Sequence, residues 1–260
     1  MFRGVDNGAW DPADKNFHLY TIVIGNQALH AVGYAMGVQR DGAYGTGDPA
    51  RDTAVVTFFG DGATAQGDIM ESFVFAAVNQ APVVFYCQNN QWAISEPNEK
   101  QFIIPPYQRA RGFGFPGVLV DGNDPLATYA VAKSALDAAR AGQGPTLIEA
   151  YTYRMGAHTT SDDPTKYRSD AEVEIWKHKD PIARMRGFME EKGHGDAEFF
   201  AAVDAEADEI AARVRKACQE MPDPDPVTMF DDVYVDEHPA VAANREQFLA
   251  YQAGFEEEAV

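Results

Sequence analysis

Two β-branched and aromatic runs, DTAVVTFF (52–59) and VVFYC (83–87), flank a helical stretch, DIMESFVFAAV (68–78). This order constrains the fold more than any other feature of the chain. Apolar runs of this kind suit strands buried on both faces. Joined through a helix, the two strands are predicted to lie parallel, with a right-handed crossover. In the linking helix, Ile69, Phe73, Ala76 and Ala77 share a face, and Asp68 with Glu71 reads as a capping box. The unit repeats once: strand 118–120, helix 125–140 with Pro125 in its first turn, a break at Gly142 to Pro145, and strand 146–150. The expected fold is α/β, a doubly wound and mostly parallel sheet.

A further helix is expected over 27–39, with Leu29, Val32 and Met36 on its apolar stripe and Ala28 and Ala35 less strictly so. Its Gly33 and Gly37 share a face, which predicts close packing against another backbone. Residues 151–168 read as a polar loop. Beyond them, Ser169 and Asp180 each begin a helix, a long amphipathic helix covers 196–219, MPDPDP (221–226) reads as a rigid linker, and a last helix covers about 241–253. The expected division is an α/β core over 1–168 and a helical C-terminal extension over 169–260. The apolar tail from Val227 to Val235 is expected to dock on its own domain or on a partner.

Charge narrows the functional classes. A formal net charge of -19 excludes a non-specific nucleic-acid binder, which needs a basic face. Two cysteines, Cys87 and Cys218, form neither a disulfide framework nor a cysteine zinc cluster, which points to a reducing compartment. No apolar run reaches the roughly 18 residues of a membrane span, and the N-terminus lacks the apolar stretch of a signal peptide. The expected location is cytoplasmic, with no membrane partner.

The chemistry concentrates where the first two strands end. In a parallel sheet, ligands bind outside the carboxyl ends of the strands. Gly60-Asp61-Gly62 ends one strand, and Asn89-Asn90 ends the next. Glycines admit a close ligand, a helix N-terminus favours phosphate, and a carboxylate with an amide oxygen suits Mg²⁺ held together with substrate phosphates. Taken alone, Gly-Asp-Gly is more often a strand-ending turn. A nucleotide-binding module using it for a magnesium phosphate is the alternative, although neither GxxxxGK[ST] nor GxGxxG stands at the strand ends.

Together, GDGATAQGD and QNNQWAIS resemble the thiamine-diphosphate motif, and more closely the alpha subunit of the E1 component of 2-oxo acid dehydrogenases. HLYTIVIGNQALHAVGYAMG (18–37), VDGNDPLATY (120–129) and YRMGAHTTSDDPTKYR (153–168) are similar to three further family segments, in the same order. The resemblance runs from about residue 18 to the C-terminus. It implies thiamine diphosphate and Mg²⁺ as cofactors, with the metal on Asp61, the Asn90 side chain and the main-chain carbonyl of Trp92. Gly62 and Ala63 would offer backbone contacts to the diphosphate, Ile24 would prop the cofactor rings, and Ile94 would line the same cleft. Arg154 and His158 would lie near the diphosphate and the reacting carbon, His158 as the catalytic residue. A lone loop histidine is otherwise usually just solvated.

The implied activity is oxidative decarboxylation of pyruvate with acyl transfer to a lipoyl-bearing E2 component. Branched-chain 2-oxo acids and acetoin are the alternatives: the TSDD stretch leans branched-chain, while Gln88 and Ala157 ahead of His158 lean towards pyruvate. The implied partner is an E1 beta subunit in an α₂β₂ assembly, which would supply the glutamate that activates the cofactor, so this chain alone is expected to be inactive. The family's segment ahead of residue 18, with its Tyr-Arg pair, has no counterpart here, and a fragment or a late start is expected. A truncated, non-catalytic assembly subunit is the alternative from a different class. Thr159, Thr160 and Ser161 fall where some relatives are phosphorylated.

Overall fold

Val55–Gly60 forms β1, Val83–Asn89 forms β2, and two-residue strands Trp92–Ala93 (β3) and Glu96–Pro97 (β4) pair antiparallel beyond it. Gly117–Asp121 is β5 and Thr146–Tyr151 is β6. In the computed structural model, which describes residues 11–18, 21–231 and 233–258, the four longer strands make one parallel sheet in the order β1–β2–β6–β5. The register sets Gly60 beside Gln88 and Asn89 beside Tyr151, so three strands end at one edge.

The main helices are α1 (Asn26–Arg40), α2 (Gly67–Asn79), α3 (Pro106–Phe113), α4 (Pro125–Arg140), α5 (Asp170–Lys177), α6 (Pro181–Lys192), α7 (Ala197–Glu220) and α8 (Pro239–Glu258). Both faces of the sheet are covered, as doubly wound topology requires. On one face, Ala28, Val32 and Ala35 of α1 and Ile69, Phe73 and Ala76 of α2 pack on Phe59, Val83, Phe85 and Leu147. On the other, Ala135 and Ala139 of α4 pack on Val84, Val120 and Ile148. Burying side chains on both faces stabilises by about 25 cal/mol per Å² of apolar surface removed from water. The four predicted strands and the helices between them are present in the predicted order.

Three local expectations are corrected. Asp68 is not a helix cap: the chain leaves β1 through a 3₁₀ turn, Asp61–Ala65, so α2 begins at Gly67 behind Gln66, which makes no side-chain cap bond. A Cβ on Gly33 or Gly37 would meet nothing within 4 Å, so among the described residues no backbone packs on them. The first strand starts at Val55 rather than at 52, because Asp52 turns back to accept from the Thr46 and Gly47 amides. The ribbon β3–β4 and helix α3 have no counterpart in the sequence reading.

The chain divides into two compact units, one of residues 20–199 and one of residues 1–19 with 200–260. The first holds the sheet. Its α5 and α6 begin as predicted, with Ser169 Oγ accepting from the Glu172 amide and Asp180 from the Ala183 amide. In the second unit, Phe230 packs on Phe248 of α8, while Met229, Tyr234 and Val235 stay exposed.

Candidate active site

The turn after β1 presents a buried carboxylate. Asp61 is 1% exposed. Its Oδ1 accepts from the Asn90 amide at 3.3 Å, and its Oδ2 accepts from Asn98 Nδ2 at 2.9 Å and Gln101 Nε2 at 2.8 Å. Thr64 Oγ1 donates to the Asp61 carbonyl at 2.7 Å and tightens the turn. Gly62 is needed on steric grounds: a Cβ there would stand 2.8 Å from that of Ala93. Ala63 is buried beneath it. The buried carboxylate ties its own turn to Asn90 and to the 98–101 helical turn.

The turn after β2 is built on hydrogen bonds. Asn89 and Asn90 divide the work. Asn89 points inward, donating from Nδ2 to Glu149 Oε1 at 2.6 Å and accepting from the Gln91 amide at 2.9 Å. Asn90 Oδ1 accepts from the Trp92 amide at 3.1 Å. Gln91 and Ile94 both take positive φ, 71° and 57°. For a β-branched residue such as Ile94 that conformation is strained, and strain of this kind collects at functional sites. Arg154 holds the strained turn in place. Its Nη2 donates to the Ile94 carbonyl at 2.7 Å, and its Nη1 reaches the Trp92 carbonyl at 3.4 Å.

The third element is the loop after β6. Arg154 Nη2 also meets Tyr167 Oη at 2.8 Å, and Tyr167 donates to Asp162 Oδ2 at 2.6 Å. The same carboxylate oxygen accepts from the His158 amide at 2.8 Å. These contacts hold the Asp162 carboxyl below its usual range, the Tyr167 hydroxyl foremost and the His158 amide next. Arg168 donates to the carbonyls of Arg154, Met155 and Gly156 and closes the base of the loop. His158 is exposed and joins this network through its backbone.

Hydrogen bonds thus bring Asp61, Asn90, Trp92, Ile94 and Arg154 into one network, with Gly62 and Ala63 adjoining. Ile24 is 63% exposed and precedes Gly25, whose left-handed backbone packs on Gln66 at the end of the Asp61 turn. Ile94 is 55% exposed. Both present apolar surface to solvent. Gln88 lines a neighbouring cleft with Asn123, Thr152, Tyr153 and Trp176.

Sequence reading missed Asn98, Gln101 and Glu149. Glu149 is 1% exposed on β6 and accepts from Asn89 and from the Tyr107 amide at 2.9 Å. Burial pushes its carboxyl above the usual range, against the opposing effect of those two donors. Burial likewise pushes the Cys87 thiol well up, so Cys87 is a packing residue.

The oxygens of Asp61, Asn90 and Trp92 are hard donors of the kind Mg²⁺ takes. Each retains acceptor capacity beyond the hydrogen bonds it makes, because a carboxylate or carbonyl oxygen has two lone pairs. Beside them, Gln101 Oε1 is buried with no partner among the described residues, and its amide is oriented because Nε2 already serves Asp61 and Glu96. An orphaned acceptor next to a carboxylate fits a site that a hydrated cation completes. The donor set and the glycine cradle therefore suit a metal-bound diphosphate.

Comparison with known proteins places the chain in a family. A family model described as "Dehydrogenase E1 component" matches residues 4–227. The chain is 45% identical over 250 residues to 3-methyl-2-oxobutanoate dehydrogenase subunit alpha of Mycobacterium tuberculosis (strain ATCC 25618 / H37Rv), covering 96% of this chain and 66% of that protein. It is 42% identical over 219 residues to the pyruvate dehydrogenase E1 component subunit alpha of Staphylococcus aureus (strain MW2), and 41% identical over 218 residues to that of Bacillus subtilis (strain 168). Those two matches each cover 83% of this chain and 57% of the relative. The chain thus spans under two thirds of the length of each of these relatives.

Proposed function

This chain belongs to the dehydrogenase E1 component family, and from that premise we propose that it is the alpha subunit of a 2-oxo acid dehydrogenase E1. It would bind thiamine diphosphate with Mg²⁺ and work with a beta subunit in an α₂β₂ assembly, passing the acyl group to a lipoyl-bearing E2 component. The observation that carries this reading is the Asp61–Asn90–Trp92 network at the carboxyl ends of β1 and β2. Asp61, the Asn90 side chain and the Trp92 carbonyl would hold the metal. Gly62 and Ala63 would bind the diphosphate, because the first N–H groups of a 3₁₀ turn have no acceptor within it. When bound, the cofactor supplies the electron sink for decarboxylation.

The remaining roles fall to the rim. Ile24 and Ile94 would support the cofactor rings with apolar surface. Arg154 fixes the Trp92–Ile94 turn and adds positive charge near the diphosphate. His158 would reach the reacting carbon from the loop that Arg154 and Arg168 anchor. Pyruvate is the first substrate reading, on Gln88 and Ala157. A branched-chain 2-oxo acid is the second, favoured by the 45% identity over 96% of this chain to a relative named for 3-methyl-2-oxobutanoate. The test is to co-express the chain with its beta subunit and measure decarboxylation of both acids with lipoylated E2. Saturable, Mg²⁺-dependent turnover supports the reading, and the higher kcat/KM names the substrate. No cofactor binding and no turnover of any 2-oxo acid would leave the assembly-subunit alternative standing instead.

A further inference from the structure

We propose that Gln101 and Asn98, on the single helical turn Asn98–Gln101, are positioning residues for the metal-facing carboxylate of Asp61. The inference deepens the proposed function and rests on its metal assignment. An aspartate carboxylate rotates about a broad, roughly two-fold torsion, so nothing intrinsic fixes which oxygen faces a ligand. Here the two oxygens are treated differently. Oδ2 accepts from two side-chain amides, at 2.9 Å from Asn98 and 2.8 Å from Gln101. Among the described residues, Oδ1 accepts only the longer bond from the Asn90 amide, at 3.3 Å, on the side of the turn that carries Asn90 and Trp92. The amides thus hold one oxygen and leave the other to the cation.

The arrangement is itself held. Gln101 Nε2 donates its second proton to the Glu96 carbonyl at 2.9 Å, which ties it to the ribbon β3–β4. That ribbon begins at Trp92, the residue whose carbonyl is assigned to the metal, so one side chain couples the carboxylate's orientation to the placement of the carbonyl donor. Neutral amides do this without adding a second carboxylate, which would change the charge of the site. Outer partners of metal ligands typically tune metal affinity by 10–100-fold.

The experiment titrates Mg²⁺ against thiamine-diphosphate binding by calorimetry, on the chain co-expressed with its beta subunit. Gln101→Met keeps the side-chain volume and removes both polar atoms. It is expected to raise the Mg²⁺ concentration for half-maximal cofactor binding by roughly tenfold or more, with full capacity recovered at high Mg²⁺ and a metal-free melting temperature close to wild type. Asn98→Ala carries the same expectation with a smaller shift, and serves if Gln101→Met does not fold. A lower metal-free melting temperature with an unchanged Mg²⁺ requirement would mean a structural role only and overturn the proposal. Wild-type protein that binds no thiamine diphosphate at any Mg²⁺ concentration would instead overturn the cofactor reading, and the proposal with it.

Discussion

The turn after β1 and the loop after β6 leave the same edge of the same sheet, yet they are held by opposite means. The turn is buried, short and locked from several sides: Asp61 receives three donors from residues 29 to 40 positions away. The loop over 156–163 is mostly exposed and depends on two arginines, one tyrosine hydroxyl and one carboxylate. On the proposed function the two would divide the labour. A metal site needs fixed oxygens before the ligand arrives, since their reorganisation would otherwise weaken binding. A loop that closes over a substrate needs latches that can open, and such segments come from the less stable parts of a fold.

The largest expected effect breaks the locked side. Asp61→Ala should abolish Mg²⁺-dependent thiamine-diphosphate binding. It should also lower thermal stability without ligand, because the partly buried Asn98 and Gln101 amides and the Asn90 N–H each lose a hydrogen bond, worth about 1 kcal/mol net apiece. Calorimetric binding and a melting curve measure the two effects. Binding equal to wild type would remove the metal assignment.

Glu149 sharpens the same side through pH. Its folded-state pKa is raised, chiefly by burial. Its stabilising contribution is therefore complete below the unfolded value near 4.5 and is lost as pH rises through the folded value. Denaturant unfolding of wild type should show this decline above pH 4.5, and Glu149→Gln should show a flatter profile there. The substituted glutamine offers one acceptor oxygen where Asn89 and Tyr107 both donate, so the variant should also be less stable at its optimum. Identical pH profiles would mean that Glu149 is already solvated.

Much of this comparison was legible in the sequence, for physical reasons that differ by residue. The strand and helix order follows from apolar runs and their periods, which burial on two sheet faces enforces. Asp61 and Asn90 stand at strand ends, where parallel topology puts ligands. Asn98 and Gln101 could not be read: they reach Asp61 from 37 and 40 residues away through a single helical turn with no periodicity. Glu149 was hidden inside TLIEA at 146–150, where a continuously buried strand carries one charge whose partners lie on other elements. The misread cap at Asp68 shows a local signal overridden by the 3₁₀ turn that precedes it.

The smallest expected effect loosens the latched side. Tyr167→Phe removes the hydroxyl that bridges Arg154 and Asp162 and leaves the Trp92 ring contact at 5.2 Å available. Losing bonds worth about 1 kcal/mol net should speed proteolysis within 154–168 by roughly fivefold, while the melting temperature barely moves. In wild type, thiamine diphosphate, Mg²⁺ and the beta subunit together should suppress that cleavage. Cleavage indifferent to both the substitution and the ligands would place the loop outside the active site.

The proposed metal centre is Asp61, Asn90 and the Trp92 carbonyl. Its most direct test is anomalous diffraction from crystals of the assembled protein grown with thiamine diphosphate and Mn²⁺ in place of Mg²⁺. The expected result is a Mn²⁺ peak bonded to one Asp61 oxygen, Asn90 Oδ1 and the Trp92 carbonyl oxygen, with Asn98 and Gln101 still on the other Asp61 oxygen. A cofactor-associated peak that none of these three oxygens touches would contradict it.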